Sequence, residues 1–246
     1  MGMMAVLRRR RVLRRFESWT RPTAMTPERT EESLAYLTQA LGRWHPDTAE
    51  ARLKVRYWLV ADGDPTAAQR SAEAEAADRT AEFGAEHLKT FEARRSLHHF
   101  YREAHGRSAA LPLIRALADD MSEALGPTHR ETLSVRRHLA YQLRDEELLT
   151  ESIVVSRAML AELEDRPYSD KDLRATWFVL ASALEYAGDR EQALVYVQKE
   201  LRAERGAIYG VDENIGQPYQ KTLEAWQDRL RRGVPPPSRT AKSPRD

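Results

Sequence analysis

The sequence contains no cysteine, which excludes a disulfide framework, a thiol nucleophile and a thiolate zinc site. It also lacks an apolar run approaching the roughly 20 residues that a membrane-spanning helix needs, and its N-terminus has no apolar stretch of the secretory kind. Short segments of alternating polar and apolar residues, which would indicate strands, are missing as well. These absences predict a helical, cytoplasmic protein.

Sequence signals of catalysis are also missing. There is no HExxH pair, no glycine-rich phosphate loop and no nucleophile elbow. His98, His99 and His105 are close in sequence, but adjacent residues diverge by about 100° on a helix, so we expect exposed or capping histidines rather than metal ligands. Neighbouring carboxylates such as Asp119 and Asp120 are expected on solvated faces. We therefore predict no catalytic residue, no metal site and no cofactor.

The chain does contain enough apolar sequence for a sizeable core, and it carries basic residues at both ends. Of its 246 residues, 41 % are hydrophobic and 31 % are charged, with a formal net charge of +1. Residues 1–25 contain seven arginines against one acidic residue, and residues 233–246 are also basic. The region between these ends is therefore acidic overall, and the basic character lies in the ends.

A motif recurs along the chain at intervals of 42 residues. "LGPTHRETL" at 125–133 is preceded by "FGAEHLKTF" at 83–91 and by "LGRWHPDTA" at 41–49. The glycine of each motif can end a helix in the left-handed conformation, and the residues after it suit a helix start. A second interruption lies inside each unit, at "ADGDP" 61–65, "AHGR" 104–107, "RDEE" 144–147 and "AGDR" 187–190. Each unit is therefore predicted to form a helical hairpin.

The pattern predicts one helix, four hairpins and a capping helix, at about 27–41, 48–83, 87–125, 129–164, 170–208 and 215–231. Capping boxes are expected where Thr128 precedes Glu131 and where Ser169 precedes Asp172. Apolar residues at i, i+3, i+4 spacing predict a core formed by Val55, Trp58, Leu59, Leu97, Phe100, Tyr101, Leu139, Leu143, Leu180 and Leu184. One hairpin cannot bury both of its faces, so successive hairpins are expected to stack.

These motifs resemble those of tetratricopeptide repeats (TPRs), particularly the 42-residue repeats of kinesin light chains. The junctions "LGRWHPDT" at 41–48 and "LGPTHRETL" at 125–133 are similar to the LG-x-x-HP-D-T-L junction of that subtype. "GDREQAL" at 188–194 and "ALPLIRAL" at 110–117 resemble its second-helix segments. The family's paired asparagines are replaced here by Leu53-Lys54, Arg95-Ser96, Arg137-His138 and Phe178-Val179. The resemblance covers about 27–231 and implies an all-α fold, a right-handed superhelical solenoid of stacked helical hairpins.

This interpretation divides the chain into three parts. Residues 1–25 form a basic N-terminal segment, which fits the repeat register as a degenerate first helix. Residues 26–232 form the TPR-like repeat domain, and residues 233–246 form a Pro-rich disordered tail. The start of translation is left open by four candidate methionines, Met1, Met3, Met4 and Met25.

Some positions of each first helix face away from the core. Residues two before, two after and five after the core leucine lie about 140–200° from it. In TPR arrays such positions line a concave groove that receives partner segments, so the resemblance implies a groove that is basic at its centre and apolar at its ends. The fourth hairpin would contribute Phe178, Ser182 and Glu185. The predicted partner-binding residues are Lys54, Tyr57, Arg95, His99, Arg102, Arg137, His138, Tyr141 and Arg144.

An acidic peptide would suit such a groove, because arginine can hold a carboxylate with two parallel hydrogen bonds. The alternative is that these arginines form intramolecular ion pairs with acids on the neighbouring second helices, such as Glu73, Glu75, Asp119, Asp120 and Glu123.

Two hypotheses for function result. The first is a non-catalytic protein–protein interaction module or scaffold, whose groove binds a segment of another protein. The second is a regulator that senses a peptide or signal while its Arg-rich residues 7–16 contact nucleic acid or an anionic membrane. The oligomeric state is open in both, since the exposed ends of a solenoid can pair.

Overall fold

A computed structural model describes residues 27–208 and 213–237, and these residues form ten helices without a strand. The helices are α1 (Pro27–Leu41), α2 (Pro46–Ala61), α3 (Pro65–Phe83), α4 (Leu88–His105), α5 (Arg107–Leu125), α6 (Arg130–Asp145), α7 (Leu149–Glu162), α8 (Lys171–Tyr186), α9 (Arg190–Ile208) and α10 (Glu213–Arg231). The predicted helices and hairpins are confirmed. The predicted basic helix within 1–25, and residues 238–246 of the predicted tail, lie outside the described residues.

The recurring motif forms the junction between one hairpin and the next. After α5, Gly126 has a φ of +91°, a left-handed conformation that side-chain-bearing residues rarely adopt. Nδ1 of His129 then accepts the Glu131 backbone N–H at 3.3 Å, and the buried Thr132 hydroxyl donates to the Met121 carbonyl at 3.1 Å. The equivalent residues of the earlier junctions are Gly84, His87 and Thr90, and Gly42, His45 and Thr48. The motif recurs because its glycine supplies the positive φ that the junction needs, while its histidine and threonine hydrogen-bond to backbone groups of the two adjoining helices.

The predicted capping boxes are wrong by one residue. The N-caps are His129 and Asp170, rather than Thr128 and Ser169. An Asp170 carboxylate oxygen accepts the backbone N–H groups of Asp172 and Leu173, at 2.8 and 2.9 Å. Both helices therefore begin one residue later than predicted, at the side chain that accepts their free N–H groups.

The hairpins stack in chain order. Each helix from α1 to α9 packs on the one that follows it, and α6 also packs on α8, the first helix of the next hairpin. Six residues of the predicted core are buried, namely Val55, Phe100, Leu139, Leu143, Leu180 and Leu184. The other four are half-buried: Trp58, Leu59, Leu97 and Tyr101. Stacking places the first helices α2, α4, α6 and α8 side by side, which aligns their outward positions.

Candidate functional site

The nine residues predicted to bind a partner lie on α2, α4 and α6. We call the surface that they form the groove. The ring centroids of Tyr57 and His99 are 5.3 Å apart, and the Arg144 guanidinium lies 5.1 Å from the centroid of the Tyr141 ring. A cavity of about 530 Å³ opens between α2 and α4, and its lining includes Tyr57, Arg95, His99, Phe100 and His138. Residues from separate repeats therefore meet on one surface.

Two arginines of the groove connect successive first helices through ion pairs. Arg95 on α4 lies 3.2 Å from Glu131 on α6, and Arg137 on α6 lies 2.7 Å from Asp172 on α8. The two arginines occupy equivalent positions, 42 residues apart. Arg95 remains 44 % exposed, whereas Arg137 is 17 % exposed. Arg95 is thus the more accessible of the two.

The other cations of the groove pair within their own helices, at 2.9 Å for Arg102 to Glu103, 2.6 Å for Arg144 to Asp145 and 2.8 Å for Lys54 to Glu50. Intramolecular pairing is therefore present, but the acids lie on the first helices rather than on the expected second helices. Among the expected acids, Glu75 binds Arg56 and Asp120 binds Arg94, and neither arginine belongs to the groove prediction. The groove consists of alternating positive and negative groups.

A buried histidine lies beneath the centre of the groove. His98 is 0 % exposed, and its Nε2 lies 3.2 Å from Oε1 of Gln142 on α6. Its Nδ1 is buried and has no hydrogen-bond partner among the described residues. Burial, reinforced by the adjacent His138 ring, lowers the pKa of His98 to about 4. Burial is also the main cause that lowers the pKa values of His99 and His138, and the positive charge of Arg102 lowers both further. The prediction that His98 is an exposed or capping residue is wrong.

A buried ion-pair network lies below the N-terminal end of the groove. Arg56 is 1 % exposed and lies 2.6 Å from Oε2 of Glu75, which is 7 % exposed. Arg79 and Arg52 also contact Glu75, at 2.7 and 3.6 Å. Burial raises the pKa of Glu75, but the three arginines lower it further, so its net pKa lies below the usual value. Ser71 accepts two further hydrogen bonds from Arg56. This network holds α2 against α3.

Sequence reasoning missed both buried groups, although the repeat alignment carries a signal for them. Arg56 and His98 each follow the core residue of their first helix by one position. The same position holds Ala140 and Ala181 in the next two hairpins, and both alanines are completely buried. A position occupied by alanine in some repeats indicates close packing, so a large polar residue there should have been expected to need buried partners.

The C-terminal end of the groove differs from the prediction, because α10 covers it. Ser182 and Glu185 were expected to face outward but are 6 % and 4 % exposed. Glu185 accepts hydrogen bonds from the Trp226 indole at 2.8 Å and from both Nε and Nη2 of Arg229. Ser182 accepts one from Arg144 at 2.7 Å. The open groove therefore belongs to α2, α4 and α6, and α10 stacks on α8 as a further first helix would.

Residues 27–208 and 213–237 offer no group of three or more histidine or acidic side chains suited to holding a metal ion. Within the same ranges, no helix is both long and apolar enough to cross a membrane.

The fold matches solved structures of TPR-like repeats. One is the crystal structure of nearly identical TPR-like repeats from a Podosopora anserina protein assigned as a kinesin light chain. It superposes with a TM-score of 0.62 and a sequence identity of 17 %, and the match covers 84 % of this chain and 99 % of that one. A crystal structure of a point variant of the same repeats superposes with a TM-score of 0.63 and a sequence identity of 16 %, and the match covers 85 % of this chain and 100 % of that one. BtubC (BKLC) of P. vanneervenii gives 0.56 and 19 %, over 75 % of this chain and 74 % of that chain.

No protein-family model matches the chain, and no curated protein matches it. At these identities the structural likeness shows the fold alone. The chain is an all-α, TPR-like solenoid of stacked helical hairpins, with the repeat architecture found in kinesin light chains.

Proposed function

We propose that this chain is a non-catalytic protein–protein interaction module that binds an acidic segment of a partner protein in the groove of α2, α4 and α6. The fold is consistent with an interaction module, because stacked repeats form an extended surface to which several hairpins contribute. Recognition of a segment is therefore the activity that this surface supports best.

The observation that carries the proposal is the repeated arginine of the groove. Arg95 and Arg137 each bind their acid through Nη1 of the guanidinium. A guanidinium has five N–H donors in a planar fork, so a partner carboxylate can bind the same arginine without first displacing Glu131 or Asp172. The ion pairs hold both guanidinium groups in place, which lowers the conformational entropy that binding would cost.

The cavity beside Arg95 adds room for partner side chains. Its volume of about 530 Å³ lies within the range of small-ligand sites, and rings of Tyr57, His99 and Phe100 contribute to its lining. Tyr57 is 49 % exposed, so its ring is available for contact. A partner segment that places a carboxylate on Arg95 would bring its neighbouring residues over this cavity.

The test compares two arginines of equal exposure, one in the groove and one outside it. Arg95 and Arg115 are both 44 % exposed and both ion-paired, but Arg115 lies on α5, a second helix, and binds Glu151. We expect Arg95→Glu to lower capture of a partner from a lysate of the source organism at least tenfold, and Arg115→Glu to leave capture unchanged. A photo-crosslinking residue in place of Tyr57 should identify the bound segment, which we expect to be rich in Asp and Glu.

A charge swap separates recognition from stability. The double variant Arg95→Glu, Glu131→Arg keeps an ion pair between α4 and α6 and keeps the net charge. We expect this variant to fold with wild-type helicity. We also expect it to capture less partner than the wild type does, because the positive charge then lies on α6 instead of α4. Equal loss in Arg95→Glu and Arg115→Glu would refute the groove. Crosslinking of a basic or uncharged segment would refute the acidic partner.

A further inference from the structure

A polar cavity, which we call the cationic cavity, lies where α6 and α8 begin. It has a volume of about 790 Å³, and the three first helices α4, α6 and α8 contribute to its lining. Arg95 lines this cavity and also the cavity of about 530 Å³ between α2 and α4, so a segment bound in the groove would pass over both. The lining of the cationic cavity includes four cations and three acids, namely Arg95, Arg130, Arg137, Lys171, Glu131, Asp170 and Asp172.

Each acid of the cationic cavity is already paired with an arginine, whereas two of its cations are not paired. The pairs are Arg95 with Glu131 at 3.2 Å, Arg137 with Asp172 at 2.7 Å and Arg166, from outside the lining, with Asp170 at 3.1 Å. Arg130 and Lys171 are exposed, and neither forms an ion pair within the part of the chain that the structure describes. The described cavity is therefore left with two positive charges that are not balanced.

These two cations are neither a general feature of the repeat nor a device that stabilises the helices. The first residues of α2, α4, α6 and α8 are Pro46, Leu88, Arg130 and Lys171. A cation at this position opposes the helix dipole, which favours negative charge at the N-terminal end. Only the two first helices that begin at the cationic cavity carry a cation there, so its placement fits binding of an anion better than helix stability.

A phosphoryl group matches the two unbalanced charges better than a single carboxylate does. Phosphoserine and phosphothreonine carry a charge of about −1.5 to −2 at pH 7 and present three acceptor oxygens, whereas a carboxylate carries one negative charge. Arg130 can bind two of these oxygens with its planar fork, and Lys171 can bind as a point charge. Arg95 is 44 % exposed and pairs with Glu131 through Nη1, so its other N–H donors can add a further hydrogen bond.

We propose that the cationic cavity binds the phosphoryl group of a phosphorylated serine or threonine in the partner segment. This proposal rests on the proposed function, because the phosphorylated residue belongs to the segment that lies in the groove. It adds that the chain binds its partner in the phosphorylated form, so phosphorylation of the partner controls the interaction.

The first test needs no knowledge of the partner. The isotope-labelled full chain is titrated with acetylated, amidated Gly-X-Gly peptides in which X is phosphoserine, glutamate or serine, and the backbone N–H shifts of Ser134 and Lys171 report binding. We expect the phosphoserine peptide to bind at least fivefold more tightly than the glutamate peptide, because its charge is larger. The variant Arg130→Ala, Lys171→Ala should bind both peptides equally. Equal binding of both peptides by the wild type would overturn the proposal.

A second double variant controls for net charge. Arg70→Ala, Arg202→Ala removes two exposed arginines from the second helices α3 and α9, and neither arginine forms an ion pair among the described residues. We expect this variant to keep the wild-type preference for phosphoserine, and circular dichroism should show equal helicity in all three proteins. If the control lost the preference as the cavity variant does, net charge alone would account for the binding and the cationic cavity would not be the site.

Capture from a lysate separates this proposal from the proposed function. Phosphatase treatment of the lysate should lower capture by the wild type at least fivefold. Capture that depends on Arg95 but resists phosphatase would overturn the phosphoryl site and leave the groove standing. Phosphoserine binding that requires Arg130 and Lys171, together with capture that is indifferent to Arg95→Glu, would support the site and refute the groove. Inorganic phosphate that binds as tightly as the phosphoserine peptide, with capture that resists phosphatase, would assign the cavity to a free anion and overturn a phosphorylated partner.

Discussion

Glu75→Gln is expected to lower the free energy of unfolding by about 3–5 kcal/mol, the loss typical of breaking a buried ion pair. The substitution keeps the shape of the side chain but removes its charge. Arg56, 1 % exposed, would then keep a positive charge in the protein interior without a counter-ion. Urea unfolding followed by far-UV circular dichroism measures the change.

Two variants show whether the stranded charge causes this loss. Glu73 lies on the same helix two residues earlier and is exposed, where it accepts a hydrogen bond from Gln69. Glu73→Gln should therefore change stability by less than about 0.5 kcal/mol, as surface substitutions usually do. Adding Arg56→Met to Glu75→Gln should recover part of the stability, because it removes the unpaired charge. A loss below about 1 kcal/mol for Glu75→Gln alone would contradict the burial of the pair.

Acidification from pH 7 to pH 5 is expected to destabilise the wild type by about 2 kcal/mol more than the variant His98→Gln. The pKa of His98 is about 4 in the folded chain, against about 6.5 when unfolded. Between these values the unfolded chain binds the proton and the folded chain does not, so stability falls as the pH falls. The stabilisation is complete above pH 6.5 and is lost progressively towards pH 4, where the total reaches about 3 kcal/mol.

The comparison between variants isolates the histidine from the carboxylates. Titration of Asp and Glu contributes to the pH dependence of both proteins and cancels in the difference. His105→Gln provides the control, because His105 lies on the same helix but is exposed. It should lose as much stability on acidification as the wild type does. If His98→Gln and the wild type lost equal stability, His98 would titrate near its ordinary pKa in the folded chain.

The helices could be predicted from the sequence because their ends are marked by residues with strong local preferences. Gly126 can adopt a positive φ, and its equivalents recur at a constant spacing, so the hairpins follow from short-range rules. The first-helix residues that face outward could also be placed, because a helical period fixes direction relative to the core. Arg95 and Tyr57 are exposed as that geometry requires.

The features of the site that the sequence did not reveal depend on which helix packs against which. Glu185 occupies an outward position on α8, and only the packing of α10 against it accounts for its burial with Trp226. The acids that pair with Arg95 and Arg137 lie about one repeat further along the chain, on the next first helix. A helical wheel describes one helix at a time, so it gives no distance between helices. Those distances decide which charges meet and how much of the groove stays open.

The stacking of each helix on its successor has a consequence for how the chain folds. Because the principal contacts join helices that are adjacent in the chain, or one hairpin apart, contacting residues are close in sequence and loop closure costs little entropy. Folding can begin at any hairpin and spread to its neighbours. During synthesis, the N-terminal hairpins can pack while α8 to α10 are still being made. The groove of α2, α4 and α6 would therefore be assembled before α10, which covers the outward face of α8, has left the ribosome.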